Sequence, residues 1–581
     1  MVKKNFGILI VMSLIIVFLY YASYFNDPLN DKRNQYINYK SDVTGKNGMV
    51  VSASSYASKI GLEILKQGGN AVDAAVAVGF TLAVTYPQAG NIGGGGFMVL
   101  RINDSVITSI DFREKAPSGS SRNMFLDSEG NFVPDKSQVG HLSSGVPGSV
   151  AGLLFALEKY GTMSREDVMK PAIDLAENGF EIEPKFAESL NSNYESFIQF
   201  PSTKKIFTKR GINFYEGEKF VQKDLANTLK LIMIHGRDGF YKGITADLID
   251  KEMKSNSGLI TKEDLENYLP VERNVVSGNY KGYDIYSMAP PSSGGIALIT
   301  LLNMIEHDPV PDTNNTIDKT AYIHTLIESM KKVYADRSEY LGDPDFWQVP
   351  VQDLISKNFA KHRRKEITDS AAAGEDIKPG LYNYYKESDQ TTHYSIVDKD
   401  GNMVSVTTTL NNTYGSFVVV GGAGFLLNDE MDDFASKPGE PNMFGLIGSE
   451  ANSIQPNKRM LSSMTPTIIL KDKKPFMIIG SPGGGKIITT VFLTILNVID
   501  FKLPLQIAID KPRFHHQWMP EYLQYESGAF DTETANLLQQ RGHQMKETGA
   551  YGNVCAVLID WGKHVYYGHV DRRGYGEARG Y

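Results

Sequence analysis

The sequence predicts an α+β protein with helices ahead of residue 390 and antiparallel strands behind it. Three observations carry that expectation. Apolar residues recur at helical spacing before residue 390, the period changes to two from His393 onward, and turn signatures divide the later strands into hairpins.

The first residues read as an address rather than as part of the fold. Lys3 and Lys4 precede an uncharged apolar run, 6–25, in the charge-then-hydrophobe order of an export signal. The run is close to the span of a bilayer, and Tyr20-Tyr21-Ala22-Ser23 makes a poor cleavage site. Residues 1–25 are therefore a signal peptide or a signal anchor. The protein is expected to be exported, periplasmic or extracellular, and tethered to the membrane if the segment is kept. The polar stretch 26–46 reads as a linker.

Beyond it, 53–67 has helical spacing and stops at Gly68-Gly69, and an alanine-rich helix, 71–85, stops before Pro87. The middle, 153–372, reads as predominantly helical, with amphipathic stretches at 165–178 and 321–340. Then 393–397 and 403–409 flank Asp398-Lys399-Asp400-Gly401-Asn402, a hairpin signature. Two further hairpins pair 467–470 with 476–480 and 554–560 with 564–570. Between them 487–500 is apolar at helical spacing, as a helix buried against a sheet would be.

Composition narrows the function classes. With 41% hydrophobic and 22% charged residues in 581, the chain can bury a large core. A net charge of -8 without a basic block argues against nucleic-acid binding. The single cysteine, Cys555, cannot form an intrachain disulfide or a cysteine-based metal site and reads as a small core residue.

Three segments could hold a site. The threonines around Thr391 and Thr407-Thr408-Thr409 suit a strand as well as a site. The run 480–486 fits a phosphate loop by spacing, but Ile487 stands where a Mg²⁺-binding hydroxyl belongs. Its glycines still allow a sharp turn whose N–H groups, at a helix start, can hold an oxyanion. The run 90–97 lacks Rossmann spacing and reads as a tight-packing loop. The adjacent pair His515-His516 cannot easily share a metal, and no metal or cofactor is expected.

The spacing Thr391, His393, Ser395-Ile396, Gly401-Asn402, Val404-Ser405, Thr407, Thr409-Leu410-Asn411, Tyr414-Gly415 resembles the γ-glutamyltransferase signature. The runs 68–75, 111–117, 144–148, 290–295, 335–337, 341–344, 428–434, 457–466 and 481–484 extend the resemblance over most of the chain. It implies a four-layer αββα sandwich of the N-terminal nucleophile hydrolase type. Two subunits, 47–390 and 391–581, would be cut from one precursor between Gln390 and Thr391 and remain together as a heterodimer.

By this resemblance Thr391 is the nucleophile, Thr409 is placed to hydrogen-bond with it, and Gly483 and Gly484 hold the oxyanion. Arg113, Ser462 and Ser463 would take the donor's α-carboxylate, and Asn411, Glu430 and Asp433 its α-ammonium. The implied donors are glutathione, glutamine and other γ-glutamyl compounds, with water, amino acids or peptides as acceptors. A threonine at a new N-terminus suits this chemistry, because its own α-amine lies beside the hydroxyl and can act as the base. Phe444 departs from the tyrosine found in the lid of well-known bacterial members, which bears on lid closure. Glutaryl or cephalosporin acylases and poly-γ-glutamate transpeptidases share the scaffold, and a nucleotide-binding or silent binding protein is the reading from another class.

Overall fold

The computed structural model describes residues 42–311, 318–380, 391–437 and 449–581. The export segment, most of the linker, Gln390 and Phe444 lie outside the described residues.

Two seven-stranded antiparallel sheets form the centre. One runs Val43–Gly45, Val565–Val570, Cys555–Asp560, Lys474–Gly480, Thr467–Lys471, Tyr283–Ser287 and Val276–Tyr280, neighbour to neighbour. The other runs Glu577–Gly580, Met49–Ser52, Thr392–Val397, Met403–Thr409, Gly95–Ile102, Val106–Asp111 and Val271–Arg273. Strand alternation sorts the second sheet's side chains into two cores. Val50, Leu100, Ile396, Val404 and Val406 join a core with the helices Ala71–Thr85 and Ser149–Tyr160. Met49, Val51, Phe97, Val99 and Met403 face the first sheet, whose own Ile468, Met477 and Val557 share that core. The helices Gly294–Ile305, Lys319–Tyr340 and Lys486–Ile499 complete it. The result is the helix–sheet–sheet–helix sandwich that the resemblance implies.

Local sequence explains the first helices. Ser54 caps Ser55–Lys66, which ends before Gly68 at φ +99°. Asn70 and Asp73 form a reciprocal capping box on Ala71–Thr85, every residue of which is buried. The Arg165–Asn178 and Lys319–Tyr340 helices and all three hairpins stand where the spacing puts them.

Two expectations need correction. The end of the stretch read as linker, Val43–Gly45, is an edge strand paired with Val565–Val570. The run 90–97 is only partly a loop, because Gly95–Ile102 is a strand buried on both faces and so shows no alternation in sequence. The middle of the chain is predominantly helical, as expected, and within it Val276–Tyr280 and Tyr283–Ser287 form a hairpin across Lys281-Gly282, both at positive φ.

Where the sheets meet near the Thr392–Val397 strand, their contact is polar. Ser395 Oγ donates to the Cys555 carbonyl at 2.9 Å, and Ser405 Oγ donates to that of Ile479 at 3.3 Å. The buried His393 ring bonds Thr407 Oγ1 at 2.8 Å and Ser395 Oγ at 3.0 Å. Burial pushes its pKa down to about 3. A Cβ on Gly480 would lie 2.4 Å from that ring, so the first sheet approaches here only because residue 480 has no side chain. Central strands of the two sheets are thereby held together behind Thr391.

Candidate active site

Thr391 directly precedes the Thr392–Val397 strand, and Thr409 ends its partner Met403–Thr409. The antiparallel register pairs Thr392 with Thr408, so Thr391 and Thr409 come to the same edge of the sheet. Both line one cleft, together with Arg113, Asn411, Glu430, Asp433, Ser462, Ser463 and Gly484. Thr409 Oγ1 accepts the Asn411 N–H at 2.8 Å, which holds the turn that follows the strand.

The oxyanion candidates lie across the cleft. Gly483 and Gly484 have φ of +132° and +52°, conformations that other residues resist, immediately before the Lys486–Ile499 helix. Among the described residues neither donates its N–H to a backbone carbonyl. At a helix start such donors suit an anion. Tyr334 OH donates to the Gly485 carbonyl and ties this loop to the Lys319–Tyr340 helix.

The resemblance divides the pocket into an anion-binding and a cation-binding pole, but the structure joins them. Arg113, fully buried, stands with Nη1 2.5 Å from Glu430 Oε2 and Nη2 2.5 Å from Asp433 Oδ2. Glu114 Oε2 lies 3.4 Å from Nη1. Burial drives the Glu430 and Asp433 carboxyls upward in pKa, with Arg113 opposing it, and pushes Glu114 up to about 7. Buried carboxylates need a counter-charge, and in this structure Arg113 supplies it. Asp433 Oδ1 and Glu430 Oε1 remain buried acceptors without a hydrogen-bond donor among the described residues. They are suited to a ligand ammonium.

Ser462 and Ser463 are held from behind. The Ser462 carbonyl accepts from Ser293 N and Ser293 Oγ, both at 2.7 Å, while its Oγ accepts from Met464 N at 3.2 Å. Ser463 Oγ accepts from Arg337 Nη2 at 3.1 Å. Asn411, at φ +76°, donates through Nδ2 to the Asp429 carbonyl at 3.1 Å.

Sequence reasoning missed Met464 and Ile487, which give the cleft its apolar wall. Glu114, Ser293 and Arg337 lie in the runs 111–117, 290–295 and 335–337, but only the fold shows what they touch. Elsewhere, Gly93 and Gly94 pack so closely that a Cβ would lie 2.0 Å from the Leu426 carbonyl oxygen and 2.1 Å from that of Thr409. That is the tight packing expected of 90–97. Lys486 lies over the Tyr551 ring at 5.0 Å, which gives it a partner other than a phosphate. Away from the cleft, His324, Glu328 and His543 converge, but the histidines bond each other at 2.8 Å and Lys331 Nζ is 2.6 Å from Glu328 Oε1.

Comparison with known proteins agrees with this geometry. The Gamma-glutamyltranspeptidase family profile matches residues 57–581. The glutathione hydrolase proenzyme of Escherichia coli (strain K12) is 49% identical over 519 residues, covering 89% of each chain. The crystal structure of Helicobacter pylori gamma-glutamyltranspeptidase is similar at 48% identity and a TM-score of 0.55, covering 57% of this chain and 95% of that one. That of cephalosporin acylase from Bacillus halodurans aligns with a TM-score of 0.84 at 27% identity, covering 94% of this chain and 98% of that one. With the sandwich, the threonine at the strand end and this breadth of similarity together, the chain belongs to the gamma-glutamyltranspeptidase family.

Proposed function

We propose that this protein is a γ-glutamyltransferase with glutathione hydrolase activity, made as a precursor that cuts itself between Gln390 and Thr391. The observation that carries the reading is the convergence on one cleft of Thr391, Thr409, Gly484 and the Arg113–Glu430–Asp433 cluster.

After cleavage the Thr391 α-amine, with a reference pKa of about 7.7 to 8.0, is partly neutral near neutral pH and takes the hydroxyl proton. The oxygen attacks the donor's δ-carbonyl, and the N–H groups of Gly483 and Gly484 stabilise the tetrahedral oxyanion. The C–N bond breaks, the proton passes to the departing amine, and a γ-glutamyl ester of Thr391 remains. Water or an acceptor amine, deprotonated by the same α-amine, then attacks the ester and restores the hydroxyl. Arg113 with Ser462 and Ser463 would hold the donor carboxylate, and Asn411, Glu430 and Asp433 the ammonium. The cost of parting Arg113 from its two carboxylates is offset because a zwitterion brings a replacement for each.

Glutathione and glutamine fit this pocket as donors, and amino acids or peptides as acceptors. The two fragments stay associated, since each central sheet takes strands from both sides of Thr391. The basic and apolar order of residues 1–25 supports export, with that segment a signal peptide or an anchor. The acylase reading keeps a fold-level basis, but a glutaryl group carries no ammonium for Glu430 and Asp433. Incubating the purified protein with a chromogenic γ-glutamyl anilide, with and without a dipeptide, tests the proposal. Anilide release that the dipeptide accelerates is expected, and no release from processed protein would overturn it.

A further inference from the structure

One face of the Lys319–Tyr340 helix reaches both halves of the cleft without lining it. Tyr334 and Arg337 are one turn apart, so they share a face, and both are buried. We propose that they are positioning residues, Tyr334 for the oxyanion loop and Arg337 for the serines that receive the donor carboxylate.

Tyr334 donates to the Gly485 carbonyl, one residue beyond the paired glycines. Its ring stands edge-on to His515, centroids 5.6 Å apart at 84°, and His515 is itself fixed by Thr489 Oγ1 at 2.8 Å and Gln517 Oε1 at 2.7 Å. The phenol is thus aimed from behind, and its bond holds the peptide that follows the two amides needed by the oxyanion. Glycines at positive φ have many other conformations, so a loop of them keeps one direction only when it is tied.

Arg337 donates through Nε to Ser293 Oγ at 2.8 Å and through Nη2 to Ser463 Oγ at 3.1 Å. Ser293 Oγ in turn donates a hydrogen bond to the Ser462 carbonyl at 2.7 Å. A guanidinium only donates, so Ser463 Oγ must accept there, and its hydroxyl proton is left for another acceptor. A carboxylate in the cleft is such an acceptor. One side chain therefore sets the backbone of Ser462 and the polarity of Ser463, and the planar fork matters because the two serines are met from different nitrogens.

The inference rests on the proposed roles of Gly483, Gly484, Ser462 and Ser463. The test measures donor kinetics and thermal midpoints on processed wild type, Tyr334→Phe, Arg337→Gln, Arg337→Lys, Ser463→Ala and the Arg337→Gln/Ser463→Ala double variant. Tyr334→Phe should lose about tenfold in kcat with KM nearly unchanged, because the oxyanion exists only in the transition state. Arg337→Gln should raise donor KM by about tenfold with a smaller change in kcat, and Arg337→Lys should fall between it and wild type. The double variant should be no worse than the poorer single one. If Ser463→Ala keeps the wild-type KM, the carboxylate site itself is misassigned. If Ser463→Ala raises KM but Arg337→Gln does not, or if both helix variants lose kcat, KM and thermal midpoint together, the positioning role is overturned.

Discussion

Arg113 Nη2 lies 2.5 Å from Asp433 Oδ2, a part-buried contact between residues 320 positions apart in the chain. With Glu430 on Nη1, the guanidinium stands between two carboxylates, and under the proposed roles a donor's ammonium would have to enter that gap. On the proposed roles, donor binding would be an exchange of partners that governs selectivity.

A glutaryl amide should be a poorer substrate than a γ-glutamyl amide by about 2 kcal/mol or more, since it draws Arg113 away without giving the carboxylates a cation. Asp433→Asn should narrow the preference, lowering activity on the γ-glutamyl donor while sparing the weak glutaryl activity. The measurement is kcat/KM for the two anilides. Similar values in the wild type would favour an acylase.

Arg113→Lys keeps the charge yet should weaken donor binding by roughly tenfold or more, because a single ammonium cannot give the donor carboxylate the bidentate contact of a guanidinium. Donor kinetics on processed protein check this, and an unchanged KM would remove Arg113 from the donor site.

Thr391→Ala should remain one chain near the full 64.4 kDa, less any export segment, and should be inactive. One hydroxyl is required both for self-cleavage and for turnover. Gel electrophoresis and N-terminal sequencing of the smaller wild-type fragment check the point; a first residue other than Thr391 would falsify the mechanism.

Gly480→Ala should destabilise the fold by about 1–3 kcal/mol and slow maturation, because the new methyl meets the buried His393 ring between the sheets. Thermal unfolding and the rate of fragment appearance report the two effects. An undisturbed variant would mean that the sheets separate at little cost.

His543→Gln should matter less as the solution is acidified. Burial pushes the His543 pKa down to about 3, below the ordinary 6.5. Between those values the unfolded chain binds a proton that the fold refuses, so wild-type stability contributed above pH 6.5 is lost as pH falls toward 3. Glutamine has no such loss, and the stability gap between the two proteins should close by about 1.4 kcal/mol per pH unit below 6.5. Denaturation midpoints at pH 8, 6 and 4.5 provide the measurement, and a constant gap would contradict a neutral buried His543.

Much of the later half was legible because its strand pairs carry a period-two pattern in sequence and end in recognisable turns. Lys471-Asp472-Lys473-Lys474 closes the hairpin read from spacing, with Asp472 and Lys473 at positive φ. Gly95–Ile102 escaped because its run Gly-Gly-Phe-Met-Val-Leu-Arg-Ile shows no polar–apolar alternation. The hairpin across Lys281-Gly282 carries its own turn signal, but it lies within a stretch whose periodicity is otherwise helical.

Local pattern thus determined which segments are helices and hairpins, and the spaced signature from Thr391 to Gly415 marked the family and its proposed nucleophile. These properties depend on residue order over a few turns, which a sequence displays directly. Only the tertiary structure decided that Arg113 is shared between Glu430 and Asp433, that Gly480 makes room for His393, and that Tyr334 and Arg337 brace the cleft from one helix. Each is a contact between distant parts of the chain. Charge compensation, close approach and hydrogen-bond direction act through space, and nothing in the order of residues records them until the two sheets have packed.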